Sequence, residues 1–136
     1  ANFMRSHLYA SFGALKVGMD LLLQEEKVEI DAIYGHGGIF KTKGVAQNYL
    51  AAALDTPVSV METAGEGGPW GMALLAAYLV NKEAGETLAD YLADRVFADA
   101  VGSSVDPDPK DVEGFDAYAK TFKDAIAVEQ TAVEKL

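Results

Sequence analysis

The 136-residue chain predicts an α/β fold, a short and mainly parallel sheet flanked by helices. Three observations predict it. A strand, a glycine loop, a helix and a second strand follow one another over residues 29–61, a second glycine loop follows directly, and an amphipathic helix precedes the unit. The strand–helix–strand order normally closes as a parallel pair through a crossover. A chain of this length is one domain's worth of material, able to bury roughly two thirds of its unfolded surface.

Taken in order, Leu8, Phe12, Leu15, Met19 and Leu22 recur at steps of four and three and draw an apolar stripe along a helix of residues 3–25. Lys16 and Asp20 interrupt that stretch, which falls short of the roughly 20 apolar residues of a membrane span. It also lacks the basic leader and small-residue cleavage site of a signal peptide. Residues 29–34 (EIDAIY) and 57–61 (PVSVM), rich in Val and Ile, read as the two strands, and the Ala- and Leu-rich residues 45–54 read as the helix between them.

After Gly65-Glu66-Gly67-Gly68-Pro69, residues 70–81 form an apolar helix with almost no polar face, which is therefore expected to be buried. From Glu86 onward the chain reads as acidic and helical, broken by Gly102-Ser103-Ser104 and by Asp106-Pro107-Asp108-Pro109. Phe115, Tyr118, Phe122, Ile126 and Val133 mark the inner stripe of a closing helix. Residues 1–85 are thus the α/β part, and residues 86–136 a helical extension packed on it. A sheet of two strands is marginal in water. Its open edge predicts self-association or pairing with further sequence.

Composition narrows the function. The absence of cysteine excludes disulfides, thiolate metal sites and cysteine nucleophiles, and it points to an intracellular compartment. A net charge of -10 opposes nucleic-acid backbones and anionic lipid surfaces. That charge is uneven: residues 1–61 carry a net -1 and residues 62–136 a net -9. Between Ala32 and Leu54 the only formal charges are Lys41 and Lys43, a window that tolerates an anion.

That window contains Ile33-Tyr34-Gly35-His36-Gly37-Gly38-Ile39-Phe40-Lys41-Thr42-Lys43-Gly44, which leaves a strand and enters a helix through closely spaced glycines. Backbone N–H groups at such a helix start face an anion, while the missing Cβ atoms permit close approach. The segment suits a nucleotide phosphate or the sugar edge of a nucleoside, and it reads equally as a tight turn without a ligand. A P-loop is excluded because Phe40 precedes Lys41-Thr42, and a dinucleotide fingerprint because Phe40 occupies the place of its third glycine. The second glycine loop leaves a neighbouring parallel strand at the same edge, where open α/β sheets place ligands, so a cleft between the loops is expected.

Other residues read as structural. Glu66 reads as a helix N-terminal acid complementing the macrodipole, and Gly71 and Ala73 as small residues for close helix packing. His7 and His36 lack the i+3 or i+4 partner of an imidazole metal site, and His36 reads as satisfying local hydrogen bonds. Asp106, Asp108, Asp111 and Glu113 lack the glycine and bidentate glutamate of a calcium loop, and they read as a solvated turn with a helix cap.

With both loops in view, residues 3–82 resemble the C-terminal end of the FGGY family of carbohydrate kinases. The resemblance runs through an amphipathic helix, a strand ending in Gly37-Gly38, an Ala-rich helix, Pro57-Val58-Ser59-Val60, and Glu66 followed by the small-residue helix from Trp70. Ile39-Phe40-Lys41-Thr42-Lys43 is bulkier than the small residue that usually follows Gly-Gly there, and one residue longer.

The resemblance implies an actin-like, ribonuclease-H-like ATPase C-terminal subdomain using ATP and magnesium. It implies transfer of the γ-phosphoryl group to a sugar hydroxyl, with a pentulose such as xylulose or ribulose as substrate. Residues 1–85 become the nucleotide-binding part, with Gly37, Gly38, Ile39, Phe40, Lys41, Thr42 and Glu66 at the cofactor. No catalytic or metal-ligating residue is assigned. The sugar site and general base of such kinases lie in earlier sequence, so this segment alone is expected to be inactive. Cytoplasmic residence, no nucleic-acid or membrane partner, and pairing with the rest of a kinase follow as expectations. The alternative is a non-catalytic nucleotide-sensing or interaction module using the same loops.

Overall fold

The computed structural model describes residues 1–30 and 32–136. Helix α1 (Asn2–Asp20) runs on through a π turn, Leu21–Glu25. Strand β1 (Ile33–Tyr34) leads through a 3₁₀ turn, Gly38–Lys41, into α2 (Val45–Leu54) and then β2 (Val58–Met61). A second 3₁₀ turn, Ala64–Glu66, opens into α3 (Gly67–Asn81). The short α4 (Leu88–Tyr91) is extended by a π turn, Leu92–Val96, before β3 (Gly102–Val105) and the closing α5 (Pro109–Lys135).

The sheet has the order β1-β2-β3. β1 and β2 are parallel, with Ile33 opposite Val58 and Tyr34 opposite Ser59, as the strand–helix–strand order requires. β3 runs antiparallel to β2, from Val105 opposite Val58 to Gly102 opposite Met61. The expectation of a mainly parallel, two-stranded sheet is therefore corrected to three strands with one parallel and one antiparallel pair. The segment 86–136, read as helical, supplies that third strand. Gly-Ser-Ser carries little strand propensity of its own, and the free edge of β2 decides its conformation.

β1 is also shorter than the 29–34 run. The register puts residue 32 opposite Pro57, which has no N–H to offer, so ladder pairing stops there. Asp31, within the expected strand, lies outside the described residues.

The core forms around α2. Val58 and Phe115 are fully buried, enclosed by Tyr9 and Phe12 of α1, Ala46, Leu50, Ala51, Ala53 and Leu54 of α2, and Ala119 of α5. The Tyr9 ring centroid lies 4.7 Å from Phe115 and 5.2 Å from Tyr118. Because α2 is largely alanine, the sheet, α1 and α5 all approach it closely. The inner stripe of α1 is rotated from the one expected: Tyr9, Phe12 and Gly13 are buried, whereas Leu15 and Leu22 face outward. Along α5 the stripe holds through Phe122 and then runs off the body, leaving Ile126 and Val133 exposed. Asp108 caps α5 by accepting a 2.8 Å hydrogen bond from the Lys110 amide, with Pro109 as its first helical residue.

The largest correction concerns α3. Its apolar composition predicts burial, yet none of its residues is buried, and Leu79 and Val80 are 72% and 83% exposed. A Cβ at Gly71 would meet nothing within 4 Å, so the close packing expected at Gly71 and Ala73 is absent. The helix leaves the sheet edge after the second 3₁₀ turn. Its far end is held by Tyr78, which packs edge-on to Tyr91 at 5.5 Å and donates a 2.9 Å hydrogen bond to the Glu86 carbonyl.

Candidate functional site

The two glycine loops meet at the C-terminal ends of β1 and β2, as the parallel pair dictates. The Gly35 amide donates to the Ser59 carbonyl at 2.8 Å, and the Gly37 amide donates to the Ala64 carbonyl at 2.7 Å. The first bond ties the loop to β2, and the second locks it onto the other loop. Gly37 adopts φ 109°, a backbone conformation that side-chain-bearing residues rarely take, and the Gly38–Lys41 turn starts directly from it.

Lys41 lies across the second loop. Its stem passes over Gly65, where an added Cβ would come within 2.9 Å of Lys41 Cγ, and its ammonium pairs with the Glu66 carboxylate. Both side chains are more than half exposed, at 58% and 67%. The pair is therefore weak in water, since exposed ion pairs contribute little.

Beside this contact lies a cleft of about 730 Å³. One wall is Phe40, Lys41, Thr42 and Lys43, running to Gly44 and Gln47 at the start of α2. The facing wall is Val60 to Thr63 with Gly65, Glu66 and Trp70, and the floor is closed by Val101 to Ser103 at β3. Of the residues expected at a ligand, Phe40, Lys41, Thr42 and Glu66 line the cleft. Gly37, Gly38 and Ile39 do not: Gly38 and Ile39 sit outside it on the exposed shoulder of the turn, and Gly38 has open space where a Cβ would project. The Gly37 amide is already committed to Ala64 and is not free for an anion.

Several lining residues escaped the sequence reading. Gln47 is 3% exposed and stitches three elements together. Its Nε2 donates 2.8 Å hydrogen bonds to the carbonyls of Val58 and Ser103, while Ser103 Oγ donates to its Oε1 at 3.2 Å. A pair of amides, Gln47 and Asn48, among the apolar residues of α2 was the available signal. Trp70 and Lys43 flank the glycine loops and were legible as neighbours. The floor from β3 was not, because that strand was not foreseen.

The cleft is a mixed surface. Its lining combines Lys41 and Lys43 with Glu62 and Glu66, the aromatic residues Phe40 and Trp70, and the polar residues Thr42, Thr63 and Ser103. Its volume lies in the range of small-molecule and cofactor sites. Among the described residues no group of three or more His, Asp or Glu side chains gathers as a metal site. No helix among them is long and apolar enough to cross a membrane.

A small mixed sheet with a cleft at the carboxyl ends of two parallel strands is the arrangement in which open α/β sheets place ligands. The family model for the C-terminal domain of the FGGY family of carbohydrate kinases matches residues 1–80, more than half of the chain. The chain belongs to that family. No curated protein and no solved structure matches it.

Family membership implies ATP, generally with magnesium, and the two fit the chain differently. The cleft suits a nucleotide in size, in its pair of lysines and in its aromatic faces. A resident divalent ion does not fit, because the described residues offer no donor set for one. Magnesium would arrive on the nucleotide phosphates, where it commonly keeps most of its ligands as water and phosphate oxygen.

Proposed function

We propose that this chain is the nucleotide-holding C-terminal domain of a sugar kinase that moves the γ-phosphoryl group of ATP to a hydroxyl of a pentulose such as xylulose or ribulose. The observation that carries the reading is the cleft itself, built where two glycine loops from parallel strands lock together. Phosphoryl transfer depends mainly on positioning and charge stabilisation, and this chain supplies the nucleotide side of that positioning.

In this reading Phe40 and Trp70 offer apolar faces to the base, and Lys41 and Lys43 face the phosphates. Thr42 and Glu66 offer polar groups to the remaining edges. Gly37, Gly38 and Ile39 form the shoulder over which part of the nucleotide passes. Residues 1–85 supply most of the surface that holds the nucleotide, and residues 86–136 close the floor of the cleft together with its sheet and core. The sugar and the group that takes its hydroxyl proton belong to other sequence, so the chain by itself turns over no sugar. Cytoplasmic residence goes with this reading.

The test is a calorimetric titration of the chain with ADP, alongside the Gly38→Val variant. Binding that weakens several-fold on placing a side chain over the open shoulder supports the reading. Equal affinity of the two proteins removes the shoulder from the reading, and absence of ADP binding by the parent chain removes the reading itself. ATP-dependent phosphorylation of xylulose or ribulose by the chain alone would overturn the assignment of the proton-accepting group to other sequence.

A further inference from the structure

We infer that Glu66 competes with phosphate for Lys41 and so restrains the attraction of the cleft for anionic ligands, holding Lys41 until a phosphate takes it over. The inference rests on the reading of the cleft as a nucleotide site. Lys41 is the one cation of the cleft wall that is already engaged across the two loops, and its partner is a carboxylate in the same lining. With Lys41 and Lys43 set against Glu62 and Glu66, the lining carries no net charge and has no general attraction for anions.

An incoming phosphate competes with the Glu66 carboxylate for the Lys41 ammonium, and like-charge repulsion between the two anions favours breaking the pair. A multiply charged phosphate group does this readily, because the pair it breaks is exposed and weak. A neutral nucleoside has nothing to offer the ammonium, leaves the pair intact and gains nothing from it. Gly65 leaves room for the stem of Lys41, whose Cγ would lie 2.9 Å from an added Cβ, and the exchange requires movement only of the ammonium end.

Removing the Glu66 charge should therefore favour phosphate-bearing ligands through Lys41. It also removes a like charge near the phosphate, a simpler effect that would operate without Lys41. A four-protein comparison separates them: the parent chain, Glu66→Gln, Lys41→Gln and the double variant. Each is titrated with ADP and with adenosine, reading the fluorescence of Trp70, the single tryptophan of the chain, which lines the cleft. Both substituted side chains are exposed, and circular dichroism would verify that the fold is kept.

We expect Glu66→Gln to tighten ADP binding about 3- to 5-fold, the scale of one exposed ion pair, and to leave adenosine unchanged. In the Lys41→Gln background the same substitution should change ADP affinity by less than about 2-fold. An equal gain in both backgrounds would overturn the exchange and leave only removal of a like charge. Unchanged or weakened ADP binding in Glu66→Gln would overturn it too, while the nucleotide reading survives if Gly38→Val still impairs ADP. Failure of all four proteins to bind ADP would defeat both readings together.

Discussion

Helices α2 and α3 are both rich in alanine and leucine, yet they meet opposite environments. Seven residues of α2 are buried, from Ala46 to Leu54, and none of α3 is. The difference is one of position in the topology. α2 is the crossover between two paired strands, so the sheet must lie against one side of it, while α1 and α5 close the others. α3 leaves the sheet at the end of β2 and is held chiefly by its first turn and by Tyr78, which meets Tyr91 and the Glu86 carbonyl. Apolar composition states that a helix has something to bury, and topology states whether the chain itself provides the cover.

The strongest way to break this comparison is to attack the packing around α2. Phe115 is fully buried against Tyr9 and Tyr118. Phe115→Ala should cost about 3–5 kcal/mol, since it removes a large buried ring that the surrounding aromatic side chains cannot replace. Urea denaturation would measure it. A loss under about 1 kcal/mol would mean that α5 is not docked on α2 in solution.

A second test uses polar groups. Gln47 in α2 is buried and bonded to both neighbouring strands, so Gln47→Leu should cost about 1–3 kcal/mol by stranding the Val58 and Ser103 carbonyls. Asn81 in α3 makes only a local 2.8 Å bond to the Ala77 carbonyl, and Asn81→Ala should fall within about 0.5 kcal/mol. Amide exchange along β3 should rise in the Gln47 variant alone.

What was legible in the sequence follows the same division. The bounds of α2, the parallel pairing of its flanking strands and the meeting of the two glycine loops could be read, because local periodicity and a short crossover determine them together. The rotated stripe of α1 could not. Gly13 packs inward where a 3–4 apolar pattern favours larger side chains, and the ring of Phe122 reaches over it. β3 could not be read either, since Gly102-Ser103-Ser104 becomes a strand only through the edge of β2 and the amide of Gln47. Phe40, Lys41, Thr42 and Glu66, which the family resemblance implies at the cofactor, line the cleft. The role of the buried amide and the β3 floor depend on contacts across 56 positions of sequence, and local pattern marks only that an amide stands in an apolar helix.

The third test concerns how α1 and α5 are tied over α2. Asp20 accepts from Lys123 at 2.9 Å and lies 3.1 Å from the Lys16 ammonium. Burial raises the Asp20 carboxyl, but hydrogen bonds from Lys123 and Lys16 outweigh it and hold the group below its ordinary value. A folded-state pKa lower than the unfolded one stabilises the fold above the unfolded value of about 3.9. That stability is lost as pH falls through the folded value. Asp20→Asn should thus cost up to about 1 kcal/mol at neutral pH. The gap to the parent should close in acid, which thermal unfolding from pH 7 to pH 2 would show. A gap that is constant with pH would assign the effect to packing.

The smallest expected effect on stability is also the sharpest probe of α3. Leu79→Glu combined with Val80→Lys replaces two strongly exposed apolar side chains and keeps the net charge at -10. Unfolding free energy should stay within about 0.5 kcal/mol, because nothing in the fold covers these positions. Attraction between copies at high concentration should fall, since a contiguous apolar surface of this kind drives association. Static light scattering and urea denaturation on the same samples separate the two outcomes. If stability dropped by more than about 1 kcal/mol, α3 would be packed in solution and the contrast with α2 would collapse. If stability held and scattering did not change, α3 would be bare but not adhesive, and the expectation of self-association through this face would be lost. The two readouts together decide whether the apolar surface of α3 acts within one chain or between chains.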